Sequence, residues 1–234
     1  MKIKKIIFNS KIIKSNPIQA YDNYAQNVIK ILRANSVVDS SSFSAGLHTI
    51  GEAFVAQNAK EQMNKKSKWL AETLVSLKQE NLAGMIYSFI VKWNYDNPNL
   101  RELFATNALA IATRLKDCIH IMARANDLKE IYKLTARGSD KHIKVLYQEK
   151  RALSDIINNY ENLKAKHQNF WRDIGLKEGY QQKLGAIKFE IGELLLKRDP
   201  VLAKKELEEA KEIFSNFGDG KYSQKIEILL QKLS

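Results

Sequence analysis

A set of apolar residues returns every 39 positions along this chain of 234 residues. Phe43, Leu47, Ile50 and Phe54 recur as Leu82, Ile86, Phe89 and Trp93, and again as Ile121, Ala125, Leu128 and Tyr132. Within each set the spacing is i, i+4, i+7, i+11, which is one face of an α-helix. A unit that size cannot close a core alone, so each must bury its face against its neighbours, as in an α-solenoid of antiparallel helix pairs. The recurrence therefore predicts an all-α fold and points to a binding role. It does not name what is bound.

Composition agrees with a helical chain. Ten Gly and three Pro leave few places for turns, and 44% apolar residues are enough for a core. Cys118 is the sole cysteine, so no intrachain disulfide can form and a reducing compartment is expected. The N-terminus is basic but lacks the apolar core of a signal peptide, and no run of 18 uncharged apolar residues occurs. These features predict a soluble, cytoplasmic protein without a membrane span. The net charge of +12 is uneven: residues 1–33 carry half of it, with Lys2, Lys4, Lys5, Lys11, Lys14, Lys30 and Arg33 against Asp22.

Along the chain, residues 1–16 read as a basic leader, extended or disordered; its alternation of Lys with Ile also suits a short strand or a docked arm. Pro17 opens a helix to about Asn35, and a serine-rich connection to Ser42 follows, with Ser42 as a cap. The repeat domain spans 43–234. Its expected helix pairs are 43–57 with 60–78, 81–95 with 98–115, 118–136 with 140–166, and 177–197 with 200–216. A capping helix over 221–233 closes the series. Trp69, Leu70, Leu74 and Leu77 are expected inward on the second of these helices. Phe170 and Trp171 suggest a packed turn near 167–176.

Pairs two and four align without a gap at an offset of 102. Phe89 meets Ile191, Trp93 meets Leu195, Pro98 meets Pro200, Ala108 meets Ala210, and Asp117 meets Asp219. Two proline-started helices in the same phase tie the repeats together more firmly than any single boundary.

These residues resemble the tetratricopeptide repeat (TPR), whose pattern is W-x2-L-G-x2-Y followed by A-x3-F. Ile50-Gly51-x2-Phe54 and Ile191-Gly192-x2-Leu195 match its first helix; Ala203-x3-Leu207 with Ala210 matches its second. The period is longer than the usual 34 or so residues, the terminal proline is missing, and Ile90 and Lys129 stand where a small residue is usual. The resemblance implies a TPR-like right-handed superhelix acting as a non-catalytic scaffold, with a protein or peptide partner held on its concave face. The groove-facing positions it implies are His48 and Glu52 in repeat one, and Tyr87 and Val91 in repeat two. In repeat three they are Asn126, Glu130 and Lys133, and in repeat four Phe189, Glu193 and Lys197.

Other chemistry is thinly represented. Cys118-x-His120 lacks the four ligands at recognised spacings that a structural zinc needs, so no metal or cofactor is expected. No phosphate-binding glycine loop, nucleophile elbow or zinc-protease motif occurs, so the chain does not read as an enzyme. The alternative to peptide binding is nucleic-acid binding by the basic leader and by Lys65-Lys66-Ser67-Lys68-Trp69. That cluster also reads as a solvated helix face beside a core tryptophan. The long stripe over 140–166 could pair with a second copy of the chain, although burial within one domain uses it equally well.

Overall fold

The computed structural model describes residues 2–6, 13, 15–166 and 176–233. Phe170 and Trp171, and the turn expected around them, lie outside the described residues. Among those described, eleven helices accompany one two-stranded β pairing. No helix among them is long and apolar enough to cross a membrane. The chain divides into two compact units, residues 1–112 and 113–234.

The first unit opens with β1 (Ile3–Lys4), paired in parallel with β2 (Val37–Val38) across α1 (Pro17–Arg33). The leader is therefore seated at this point. Ile6 is buried, its N–H donates to Ser42 Oγ at 3.1 Å, and Ile13 and Ser15 are helical, with Ile13 buried as well. Next come α2 (Ser40–Ala56), α3 (Lys60–Ser76), α4 (Glu80–Trp93) and α5 (Pro98–Arg114). Asn16 and Pro17 start α1 as their types dictate, the Asn16 side chain accepting from Gln19 N–H. The cap of α2 is Asp39, three residues earlier than the expected Ser42. Its carboxylate accepts the Ser42 N–H at 2.8 Å, a charge-assisted bond that also holds the Asp39 carboxyl below its usual range.

Tyr21, Tyr24, Phe43, Ile50, Phe54, Met63, Leu70 and Leu74 form the core here. The Tyr24 hydroxyl donates to Phe43 C=O at 2.6 Å, and burial pushes its ionisation well above the ordinary range. Gly51 lets α2 approach α4. A Cβ there would lie 2.7 Å from the Phe89 ring and 2.8 Å from Trp93 Nε1. Phe54 and Tyr132, expected at equivalent buried places, are buried, whereas Trp93 is half-buried. Trp69 turns outward and is 47% exposed. The inner arc of α3 is made by Met63, Ser67, Leu70, Ala71 and Leu74, two of them small residues that a hydrophobicity pattern overlooks.

Asn35, Asn58, Lys78, Lys116 and Gly218 each adopt positive φ two residues past a helix, and at α1, α2, α3 and α10 two backbone bonds close the turn. At α2 these are Asn58 N–H to Val55 C=O and Ala59 N–H to Phe54 C=O. At α3 they are Lys78 to Val75 and Gln79 to Leu74. This is the Schellman arrangement, which satisfies the otherwise orphaned last carbonyls.

The second unit contains α6 (Cys118–Thr135), α7 (Asp140–Asn158), α8 (Tyr160–Lys166), α9 (Lys177–Leu195), α10 (Pro200–Asn216) and α11 (Gly220–Gln231). The single helix expected over 140–166 is two, broken at Asn159, whose side chain bonds back to Asp155 C=O in competition with the helix ladder. Its stripe of Leu146, Leu153, Ile156 and Tyr160 is spent inside this unit, against Tyr180, Ile187, Ile191 and Leu195. A second cluster joins Leu207, Ala210, Phe214 and Ile226 beneath α11, with Tyr222 stacked on Phe214 at 4.3 Å between ring centres. In both units, helices that follow one another pack together, the scheme of an α-solenoid. The offset of 102 also holds in the helix bounds. α4 and α9 end at Trp93 and Leu195, α5 and α10 start at Pro98 and Pro200, and α6 and α11 are capped by Asp117 and Asp219.

Candidate functional site

In the second unit α6 and α9 face each other across a pocket of about 750 Å³, completed by Glu149 of α7 and Tyr222 of α11. An ion pair joins the two helices, a second ties the turn after α6 to α9, and a third lies within α6. Lys133 Nζ lies 3.3 Å from Glu190 Oε2 and 3.4 Å from Glu130 Oε1; Arg137 Nη2 lies 2.9 Å from Glu193 Oε2. Burial disfavours the Lys133 ammonium, but Glu190 and Glu130 outweigh it and raise its pKa above the ordinary lysine value.

On the floor, Lys129 and Glu149 form a buried pair at 3.1 Å. Burial pushes the Glu149 carboxyl up, and the Lys129 ammonium opposes that rise. The lysine that stands where the TPR pattern prefers a small residue is thus tied to α7. Deeper still, Glu206 of α10 pairs with Lys150 and, at 3.8 Å, with Lys188, which also meets Glu209.

His142, at the start of α7, has no exposed surface. Its Nδ1 accepts the Gly138 N–H at 3.1 Å, and its Nε2 lies 3.5 Å from Glu190 Oε1. Burial lowers its pKa against the pull of Glu190, helped by Lys133, Arg137 and Lys129.

The structure brings four of the expected groove positions together: Asn126, Lys133, Phe189 and Glu193 all line this pocket. Glu130 does not line it but pairs with Lys133, which does. Lys197 falls past the end of α9, in an exposed turn, and is not on the helix face. Tyr87 and Val91 are buried, not groove-facing, and Tyr87 stacks on Phe104 of α5 at 5.8 Å. His48 and Glu52 are exposed and pair with each other at 3.4 Å, while the His48 ring lies 5.5 Å from that of Trp93.

Arg124, Arg137, Glu149, Lys183, Glu190 and Tyr222 were not anticipated, although they line the pocket. On α9 the spacing of Lys183, Ile187 and Glu190 was the available signal, since i, i+4, i+7 marks one face. Tyr222 carried none, because only the return of α11 onto α10 places it there.

Cys118 and His120 do not converge. The His120 ring meets the capping carboxylate of Asp117 at 2.7 Å, and burial with the nearby Asp117 and Asp155 raises the Cys118 thiol pKa, so the thiol is not an activated nucleophile. Among the described residues no group of three His, Cys, Asp or Glu could hold a metal ion.

No protein-family model and no curated protein matches the chain. Among solved structures it is similar to a Podosopora anserina kinesin light chain with nearly identical TPR-like repeats. Identity there is 12% over 96% of this chain and 95% of that one, with a TM-score of 0.38. It is also similar to BtubC (BKLC) from P. vanneervenii, at 11% identity over 94% of this chain and 90% of that one, with a TM-score of 0.30.

Proposed function

We propose that this protein is a non-catalytic TPR-like scaffold that binds an extended segment of a partner protein in the groove between α6 and α9. The observation carrying this reading is the pocket itself. Four positions assigned to the concave face from sequence converge on one cavity of about 750 Å³. That size accepts a few residues of extended chain.

The lining suits a peptide of mixed character. Phe189 and Tyr222 meet edge to face at 5.6 Å and offer an apolar wall. The Asn126 side chain is exposed and makes no hydrogen bond among the described residues, so it can bond a peptide backbone. The charged groups lining the cavity include both signs, and Lys133 and Arg137 are already matched by Glu190 and Glu193. A polyanion would meet four carboxylates among five cations.

Selection of a displayed random peptide library on the full chain tests the proposal. Enriched peptides should bind the parent protein and lose about fivefold to thirtyfold in affinity with Phe189→Ala, as truncated interface aromatics do. Circular dichroism would confirm that the variant is folded. Failure to enrich any peptide, or peptides that bind Phe189→Ala and Asn126→Ala like the parent, would remove this groove as the binding face.

A further inference from the structure

We propose that α3 carries a second binding surface, for single-stranded nucleic acid, centred on Trp69. The tryptophan is 47% exposed on a well-packed helix whose inner face is complete without it. A large aromatic left in water invites a partner, and its surroundings say which kind. Its helical neighbours at i−4, i−3, i+3 and i+4 are Lys65, Lys66, Glu72 and Thr73, all polar. Protein hot spots place an aromatic anchor within a ring of packed, water-excluding contacts. Along its own helix Trp69 has polar neighbours in place of such a ring. A single accessible π-face flanked by cations is instead the arrangement on which an unpaired base stacks while neighbouring ammoniums meet its phosphates.

The charges near Trp69 favour an anion. Lys65 is exposed and makes no ion pair among the described residues. Lys68 reaches Glu72 only at 3.8 Å, both side chains more than half exposed, so a phosphate can replace that carboxylate at little cost. Lys66 is committed to Asp22 of α1 at 2.5 Å, which anchors α3 and leaves Lys65 and Lys68 as the phosphate contacts. Of the acidic residues, Glu72 shares the helical face of Trp69 and lies 3.8 Å from Lys68, and Asp22 is held by Lys66. This surface belongs to the first unit and the α6–α9 groove to the second, and the two proposals are tested independently.

The test is fluorescence anisotropy of the full chain with fluorescein-labelled dT12 and rU12 at 20–200 mM NaCl. Two phosphate contacts predict a slope of log K against log salt of about −1.4 for a single strand. Trp69→Ala should weaken binding about tenfold, Trp69→Phe should retain most of it, and Lys65→Glu should weaken binding and flatten the slope by about 0.7. Preference for one oligonucleotide would distinguish RNA from DNA as the ligand. Absence of binding to either at 20 mM NaCl would overturn the proposal. So would binding that Trp69→Ala leaves unchanged, or binding lost only when Lys2, Lys4 and Lys5 are replaced by Ala. If Trp69→Ala instead disrupts a protein complex while oligonucleotides do not bind, the surface is a protein interface and the assignment is wrong.

Discussion

Gly192 is a position where two familiar effects predict opposite signs. In the middle of a helix, Gly→Ala ordinarily stabilises by about 1 kcal/mol, because alanine loses less backbone entropy. At Gly192 the added Cβ would lie 2.6 Å from Leu207 Cγ, 2.8 Å from Leu207 Cδ2 and 3.2 Å from the Ala203 carbonyl oxygen. The nearest atom is a branch point and not a flexible end. Leu207 is wholly buried, in a cluster with Ala210, Phe214 and Ile226. Turning it aside would displace the layer that supports α11. Overpacking of this kind costs about 1–3 kcal/mol, and the severity of the contact places it near the top of that range. After the gain in helix propensity, Gly192→Ala should destabilise by about 2 kcal/mol, lowering the midpoint of thermal unfolding by about 4–8 °C in a chain of this size. Circular dichroism at 222 nm, in urea and on heating, reads this directly. Leu207→Ala alone should cost about 2–5 kcal/mol. The double variant should be less destabilised than the sum, because the new methyl group fills part of the cavity. A Gly192→Ala protein that is more stable than the parent would refute the close approach of α9 and α10.

Lys129→Met should cost about 3–5 kcal/mol by leaving the buried Glu149 carboxylate unpaired, and Lys129→Met with Glu149→Leu should recover most of the loss in urea unfolding. His142 should make stability depend on pH. Its folded pKa is lowered, so the unfolded chain takes the proton first. Its contribution is complete above about pH 6.5 and is lost as pH falls toward and through the folded value. Comparing unfolding at pH 7.5 and 5.5 should show that fall in the parent and less of it in His142→Gln. Deleting residues 1–6 removes the β1–β2 pairing and the burial of Ile6, and should cost about 1.5–3 kcal/mol. An unchanged midpoint would show that the arm is not seated, as a purely solvated leader would predict.

The apolar phase of the repeats was legible because it depends only on spacing. Phe43, Ile50, Phe54, Leu82, Ile86 and Leu128 all lie in the core, and Pro98 and Pro200 open helices where proline at a first turn should. The face of each first helix that stays open was only partly legible. A helix in a stacked array is covered from two sides, and periodicity identifies the first covered face but not the second. Tyr87 and Val91 lie on that second face and are buried, whereas Phe189 and Asn126 line the pocket between α6 and α9. The error at Trp69 has another origin. Residue type argued for burial, whereas Ser67 and Ala71 let the helix pack closely without it. The ion pairs across the groove were beyond reach, because residues as far apart as Arg137 and Glu193 meet only through the register of α6 and α9.

The way α1, α2, α3 and α10 terminate bears on how such a chain can change over time. At each junction two main-chain bonds set the exit direction, and the residue in the left-handed position is Asn twice, Lys once and Gly once. Because the angle between successive helices is written in peptide groups that every residue except proline supplies in full, side chains at the joints are free to drift while the pitch of the stack is kept. Drift of that kind erases the letters by which profiles detect kinship and spares the geometry, so two such arrays can retain the same joints after their sequences have ceased to align.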